Sequence, residues 1–262
     1  MTAHQYATWN VNSLTVRLPQ VVDWLTLCES EKPIDVLALQ ETKTTDDKFP
    51  AQAINDAGYQ VAYFGQKTYN GVALISKHAI TDVVYNIPGF DDDMSRVISA
   101  SINGVRVVGA YFPNGQAPDS DKFVYKMKWL QALQNWLTTQ LQQHSQLILM
   151  GDFNITWDDA DVWDPVALKD TIHCTTEERE RMAGLLQLGM HDAHRLFDQP
   201  EKSFSWWDYR EFAFRRNRGL RIDHVLVSNA LKDRVSACWI DKRLRKNERP
   251  SDHTPVIVSI HT

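Results

Sequence analysis

Nine short runs of β-branched and apolar residues, against only four stretches with helical spacing, restrict this chain to mixed sheets covered by helices. Strands are predicted over 6–11, 35–40, 72–76, 97–102, 105–111, 147–151, 222–228, 236–240 and 256–260. Helices are predicted over 18–29, 49–57, 121–142 and 176–188. In the third, Phe123, Met127, Leu130, Leu133, Leu137 and Leu141 recur at three- and four-residue intervals. Thr176 reads as the N-cap of the fourth, with Glu177 and Glu178 in its first turn and Gly189 as its stop. Ser101-Ile102-Asn103-Gly104-Val105 reads as a hairpin, which favours packed mixed sheets over a regular βαβ winding.

With 262 residues, 43% of them hydrophobic, and no Pro/Gly/Ser-rich linker or repeat, the sequence reads as a single domain, 1–262. No charged and apolar leader opens it, and no apolar run approaches the roughly eighteen residues of a membrane span. A soluble protein with no membrane partner is expected. Cys28, Cys174 and Cys238 are widely spaced and form no Cys-x-x-Cys pattern, so a reducing, cytoplasmic setting is expected rather than a disulfide framework or zinc site. The net charge of −5 counts at first against a polyanionic partner. Its distribution argues the reverse, because residues 201–262 hold 13 Lys and Arg against 8 Asp and Glu. The excess lies in two clusters, Arg210, Arg215, Arg216, Arg218 and Arg221, then Lys242, Arg243, Arg245, Lys246 and Arg249. Such clusters bind phosphates through charge and guanidinium hydrogen bonds.

Polar residues fall at the predicted strand ends. The first strand runs into Trp9-Asn10-Val11-Asn12, the second into Gln40-Glu41-Thr42, and another into Tyr111-Phe112-Pro113-Asn114-Gly115. Gly151-Asp152-Phe153-Asn154 ends a further strand, Arg221-Ile222-Asp223-His224 opens one, and Ser251-Asp252-His253 precedes the last. On an extended chain the i and i+2 side chains of Asn10-x-Asn12 and Asp152-x-Asn154 point the same way, with Val11 and Phe153 toward the core. Any one of these motifs alone reads as a solvated strand terminus or an Asx-type turn. Their occurrence at six strand ends argues for one site on a rigid rim.

Together with Leu39-Gln40-Glu41-Thr42-Lys43, Ser205-Trp206-Trp207-Asp208-Tyr209-Arg210 and Asn217-Arg218-Gly219-Leu220-Arg221-Ile222-Asp223, these motifs closely resemble, in order and spacing, the exonuclease III family of DNA repair nucleases. The resemblance runs from residue 6 to residue 260. Gln-Glu-Thr-Lys, Gly-Asp-x-Asn and Ser-Asp-His alone would indicate only the wider endonuclease/exonuclease/phosphatase superfamily; Ser-Trp-Trp-Asp-Tyr-Arg narrows it to the DNA-repair branch. The resemblance implies a four-layer α/β sandwich, two packed mixed β-sheets flanked by helices, with the active site at one end. It implies a divalent cation, Mg²⁺ or Mn²⁺, with Glu41 as principal ligand and Asn10, Asn12 and Asp252 completing or supporting the shell. Asn12 stands where some relatives carry Asp. Hard cations suit such oxygen donors.

By the same resemblance, Asp152 positions or deprotonates the attacking water and Asn154 orients it. His253, paired to Asp223, holds the scissile phosphate, which Tyr111 and Asn114 also contact. Whether Asp152 or His253 is the base is left open. Trp206, Leu220 and Ile222 match the apolar pocket for an extruded baseless sugar, Trp207 is expected in the core, and arginines such as Arg218 are expected on the duplex backbone. The implied activity is 3′-5′ exonuclease and 3′ end processing, with incision 5′ to abasic sites in double-stranded DNA. A monomer is expected, cytoplasmic and on the nucleoid if bacterial. A phosphatase acting on lipid or inositol phosphates would share Glu41, Asp152 and His253 but lack Ser205–Arg210. A non-catalytic DNA-binding relative would have lost a ligand or the Asp-His pair. His173 has two readings, a surface histidine before a helix or a bulky group that narrows the abasic pocket and favours 3′ end processing.

Overall fold

The computed structural model describes residues 2–261. Along the chain lie β1 (Ala3–Asn10), α1 (Leu14–Glu31), β2 (Val36–Gln40), α2 (Ala51–Asp56), β3 (Gln60–Phe64), β4 (Val72–Ser76), β5 (Ile80–Tyr85), β6 (Val97–Ile102) and β7 (Val105–Tyr111). Then follow α3 (Asp121–Gln143), β8 (Leu147–Asp152), α4 (Thr176–Gln187), β9 (Met190–Asp192), β10 (Asp223–Ser228), α5 (Asn229–Lys232), β11 (Val235–Ile240) and β12 (Val256–His261). Parallel neighbours cannot be joined by a tight turn. The two parallel pairs, β1 with β2 and β7 with β8, are accordingly bridged by the long helices α1 and α3. Antiparallel strands extend each pair into six-stranded sheets ordered β11-β12-β1-β2-β4-β3 and β5-β6-β7-β8-β10-β9.

Side-chain alternation along the strands builds three apolar layers. Inward residues such as Tyr6, Val36, Ala38, Leu74, Ile98, Val107, Ile148, Met150, Val225 and Val258 fill the space between the sheets. Their neighbours Ala7, Trp9, Leu37 and Leu39 face α1 through Val21, Trp24 and Leu25. On the far side, Val108, Ala110, Leu147 and Leu149 pack on Trp129, Leu130, Leu133 and Leu137 of α3 and on Met182 and Leu185 of α4. The four-layer sandwich of two mixed sheets flanked by helices is thus borne out.

β3, β5 and β9 are strands that sequence reasoning missed, and all three are sheet edges. Half exposed and without clean alternation, or only three residues long, they lack the apolar signal of the inner strands. The cap of α4 also differs by one position. Thr175, not Thr176, caps it: the Thr175 hydroxyl accepts from the Glu178 N–H at 3.1 Å while the Glu178 carboxylate accepts from the Thr175 N–H at 3.1 Å. Gly189 follows the helix at φ 89°, as its role of stop requires.

Candidate active site

Register sets the rim. Asn10 lies opposite Gln40 at the ends of β1 and β2, Tyr111 opposite Asp152 at the ends of β7 and β8, and Asp223 opposite Asp152 where β10 begins. A Cβ at Gly151 would overlap the Ala110 carbonyl of the neighbouring strand, so this position takes glycine. Beyond the strands the chain does not stay extended, which corrects the same-side reasoning for Asn10-x-Asn12 and Asp152-x-Asn154. Asn12, Glu41 and Asn154 have φ of 44°, 51° and 51°. The Asn10 carboxamide oxygen accepts from the Asn12 N–H at 3.0 Å, and the Asp152 carboxylate accepts from the Asn154 N–H at 2.9 Å. Both motifs are Asx turns, and the turns themselves hold the polar groups at the rim.

The centre of the site is a line of three groups. His253 Nδ1 lies 2.9 Å from Asp223 Oδ2, and its Nε2 lies 3.7 Å from Asp152 Oδ2. Ser205 fixes Asp223 from behind, donating its hydroxyl to Oδ2 at 2.6 Å while accepting from the Ile222 and Asp223 N–H groups. Burial raises the Asp152 carboxyl to about 7, with the Asp223 and Glu41 carboxylates adding to the effect and His253 and the Asn10 amide opposing it. Burial works against a charged His253, but the Asp223 and Asp152 carboxylates outweigh it and lift the imidazole to about 10. The two carboxylates thus favour the protonated imidazole, while burial makes Asp152 hold a proton more tightly than an exposed carboxyl.

Asn10 turns its NH₂ group into this cluster, donating to Glu41 Oε1 at 2.8 Å and to Asp152 Oδ2 at 2.9 Å, while its oxygen faces the Asn12 N–H. Asn12 and Asp252 sit in a neighbouring set. The Asn12 amide donates to Asp252 at 3.0 Å, its oxygen accepts from Lys43 Nζ at 2.7 Å, and Asp252 also accepts from the indole N–H of Trp206 at 3.0 Å. Tyr111 lies between the Arg96 guanidinium, 5.0 Å from its ring, and Glu41; burial first, then Glu41 and Asp152, push its phenol well above 10. Asn114 is exposed and donates to the Asn154 oxygen at 3.2 Å, and the Asn154 amide donates to the Phe112 carbonyl at 3.0 Å and toward Asp152 at 3.3 Å.

Beside the cluster opens a cavity of ≈ 580 Å³ lined by Trp163, Leu168, His173, Trp206, Arg218 and Leu220 among others. Ile222 backs it within an apolar cluster that includes Leu220 and Trp206, and Trp207 is fully buried. His173 is held at φ 72°, with its Nδ1 2.7 Å from the Asn154 carbonyl oxygen, so it stands at the wall rather than on the open surface. Burial and Lys126 depress it to about 4, which leaves it neutral. The two basic clusters do not form one cationic face. Arg221 is buried in ion pairs with Asp161 and Asp192, Arg243 binds Asp241 and Glu31, and Arg245 is buried against Trp207, Tyr209 and Phe214. Arg215, Arg216, Lys246 and Arg249 stay exposed, as do Tyr209 and Phe212 near the cavity mouth.

Residues 7–253 match the model of the Endonuclease/Exonuclease/phosphatase family. The chain belongs to this family. An exodeoxyribonuclease III from Haemophilus influenzae is 34% identical over 96% of this chain and 98% of its own length. An exodeoxyribonuclease from Bacillus subtilis is 32% identical, over 97% and 98% respectively. A Neisseria 3′ phosphatase solved with a product DNA hairpin superposes with a TM-score of 0.95 at 43% identity, covering 99% of this chain and 100% of that one. An AP endonuclease from Archaeoglobus fulgidus gives 0.94 at 34% identity, with the same coverage.

Nucleases of the Endonuclease/Exonuclease/phosphatase family depend on a divalent metal, and the donor set here fits one. Glu41 and Asp152 offer carboxylate oxygens within 4.8 Å of one another, the hard donors that Mg²⁺ or Mn²⁺ prefers, and Asp223 adds a third carboxylate close by. Several groups of this site escaped sequence reasoning. Lys43, in the Gln-Glu-Thr-Lys motif, pairs with Glu41 at 2.8 Å, and Ser205, in the Ser-Trp-Trp motif, anchors Asp223. Lys126 supports the Asn154 carbonyl from below at 2.8 Å; its signal was a lysine among the apolar residues of the buried face of a helix. Arg96 had no readable signal.

Proposed function

We propose that this chain is a divalent-metal-dependent DNA repair nuclease that hydrolyses phosphodiester bonds of duplex DNA. It acts as a 3′-5′ exonuclease and 3′ end-processing enzyme and as an AP endonuclease cutting 5′ to abasic sites. The relatives named as exodeoxyribonucleases, 3′ phosphatase and AP endonuclease support the substrate class. The observation that carries the chemistry is the Asp152–His253–Asp223 line beside Glu41 at one rim, next to an aromatic cavity.

Glu41 and Asp152 would hold Mg²⁺ or Mn²⁺, with Asn10, Asn12 and Asp252 supporting them; a bound cation neutralises the phosphate and eases deprotonation of water. Asp152, raised to about 7, accepts the proton of the attacking water, and the Asn154 amide orients that water. His253, cationic up to about 10, donates from Nε2 to the scissile phosphate while Asp223 fixes its Nδ1–H. The opposed directions of the two shifts support Asp152, rather than His253, as the base in this reading. Tyr111 stays protonated and donates to the same phosphate, joined by Asn114. Trp206 and Leu220, backed by Ile222, form the apolar wall for a baseless sugar, and Arg218, its guanidinium 5.0 Å from the Trp163 ring, faces the DNA backbone. We further propose one domain, 1–262, working as a monomer in the cytoplasm on nucleoid DNA; the cysteines Cys28, Cys174 and Cys238 are buried and unpaired. Among the described residues no helix is long and apolar enough to cross a membrane.

The test is a duplex with one synthetic abasic site beside a 3′-recessed duplex, each incubated with Mg²⁺ and wild-type or Asp152→Asn protein. Loss of the base is expected to cost ~10²–10⁴ in rate with the fold intact. A folded Asp152→Asn enzyme with near wild-type turnover sinks the assignment.

A further inference from the structure

A second cluster of ligand atoms lies at the opposite end of the first sheet. His4 is the second residue of β1, six residues before Asn10, which along a strand is about 20 Å from the catalytic rim. Its Nδ1 is 3.0 Å from Asp35 Oδ1, and Nε2 of His78, just past the end of β4, is 2.8 Å from the same oxygen. The rings meet edge to face with centroids 5.4 Å apart. Two imidazoles thus converge on one carboxylate oxygen, and the three ligand atoms all lie within 4.8 Å of one another.

The support around Asp35 is built. Its N–H donates to the Gln5 carbonyl at 2.9 Å, its carbonyl accepts from the Lys77 N–H at 3.0 Å, and its other oxygen, Oδ2, accepts from the Gln5 N–H at 2.8 Å. Oδ1 is left for the rings. The His78 N–H is tied to the Ser76 hydroxyl at 2.9 Å, and the Lys77 ammonium is occupied by Glu29, so no neighbouring cation blocks the cluster. Side-chain exposures of 15% for His4, 15% for Asp35 and 35% for His78 leave a path for an ion and for the waters that would complete its shell.

We propose that His4, Asp35 and His78 form a binding site for a borderline divalent transition cation of the Zn²⁺ class, which clamps the ends of β1, β2 and β4. Zinc takes nitrogen at ~2.0–2.1 Å and carboxylate oxygen at ~2.0–2.2 Å, so neighbouring ligand atoms must stand roughly 3–3.4 Å apart. The observed edges of 2.8 and 3.0 Å open to that span with small side-chain rotations. Imidazole donors favour Zn²⁺, Cu²⁺ or Ni²⁺ over Mg²⁺, so the site is chemically distinct from the oxygen-rich catalytic cluster. The Gln5 N–H on Oδ2 is the kind of outer hydrogen bond that orients a ligand carboxylate. On binding, the coordinating nitrogen of each neutral ring presents its lone pair to the cation and the single ring proton resides on the other nitrogen, reached by exchange with solvent.

The experiment is Zn²⁺ titration of the full chain in excess Mg²⁺ against a chromophoric chelator, for wild type, His4→Gln, His78→Gln and Glu41→Ala. One equivalent of Zn²⁺ is expected to survive Glu41→Ala and to weaken roughly tenfold or more in both histidine variants. Its binding should raise the thermal midpoint of the wild type and not that of His78→Gln. As a measurement that needs no variant, Zn²⁺ should shift the assigned ring signals of His4 and His78 in the wild-type NMR spectrum while Mg²⁺ leaves them in place. Equal stoichiometry and affinity in wild type and the histidine variants, or unshifted His4 and His78 rings, overturns the proposal. The readout is metal binding, so the outcome is independent of the nuclease reading.

Discussion

Replacing Lys126 by methionine tests how far the scaffold beneath the site determines its chemistry. The Lys126 ammonium is fully buried, forms an ion pair with Glu178, and donates to the Asn154 carbonyl at 2.8 Å and the Asn114 carbonyl at 3.2 Å. Methionine matches the length of the aliphatic stem but leaves the Glu178 carboxylate buried with only the Thr175 N–H and hydroxyl as partners. Breaking a buried pair from one side costs ~3–5 kcal/mol, because the surviving charge is uncompensated. The two carbonyls add less, since that of Asn154 keeps His173 and Asn114 is exposed. With a urea slope of about 3 kcal/mol/M, the midpoint should fall by roughly 1–1.7 M. Adding Glu178→Gln removes the stranded charge and should recover about half of the loss. Turnover should not recover with it, because Asn154 has lost its tether and a misplacement of about 1 Å can cost ~10² in rate. A loss below about 1 kcal/mol in Lys126→Met, or a further loss on adding Glu178→Gln, refutes the reasoning.

Glu41→Ala should lower cleavage by at least ~10² at fixed Mg²⁺ and shift half-maximal activation to higher Mg²⁺, measured by titrating the cation at constant DNA. The pH profile follows from the two opposed shifts: cleavage needs Asp152 ionised and His253 protonated, so at limiting Mg²⁺ the rate should rise as the raised Asp152 carboxyl ionises and fall at higher pH as the raised His253 loses its proton. Asp223→Asn should move the alkaline limb to lower pH, since the carboxylate that most raises His253 is gone; an unmoved limb would contradict the assignment. His173→Gly should leave stability within about 1 kcal/mol, because glycine is at ease at the φ of 72° that histidine tolerates at a cost, yet raise abasic incision relative to 3′ end processing. An unchanged ratio on the two duplexes would leave His173 without a part in specificity.

The inner strands were legible because burial on both faces forces continuous apolar runs, and their polar ends stood out against them. β3, β5 and β9 were not, since an edge strand is stabilised by its single neighbour and can carry mixed side chains. Charge was the least legible property. Arg221 and Arg218 lie three positions apart in the same motif, yet one neutralises Asp161 and Asp192 in the interior and the other lines the cavity. Nothing local distinguishes them, because the partners of Arg221 come from segments 60 and 29 residues away. Asn12 and Asn154 illustrate a different gap. Their membership in the rim was readable, but the left-handed turn that sets their direction depends on the Asx bonds to Asn10 and Asp152.

The two sheets contribute complementary halves of the site, and this explains why its proton affinities are displaced. The β1-α1-β2 unit ends in Asn10 and Glu41, and the β7-α3-β8 unit ends in Tyr111 and Asp152, both at the carboxyl ends of a parallel pair. Antiparallel neighbours close the gap, β10 opening with Asp223 and β12 preceded by His253. Packing of the apolar inner faces buries these ends and fixes their spacing, so burial first, and then the Asp223 and Glu41 carboxylates that cannot relax apart, raise the Asp152 carboxyl. A proton on Asp152 and a divalent cation at Glu41 and Asp152 relieve the same excess charge. The two therefore compete, and linkage requires that raising the Mg²⁺ concentration displace the acidic limb of the rate profile toward lower pH. A limb that stays fixed across saturating and limiting Mg²⁺ would mean that the cation and the base do not share Asp152.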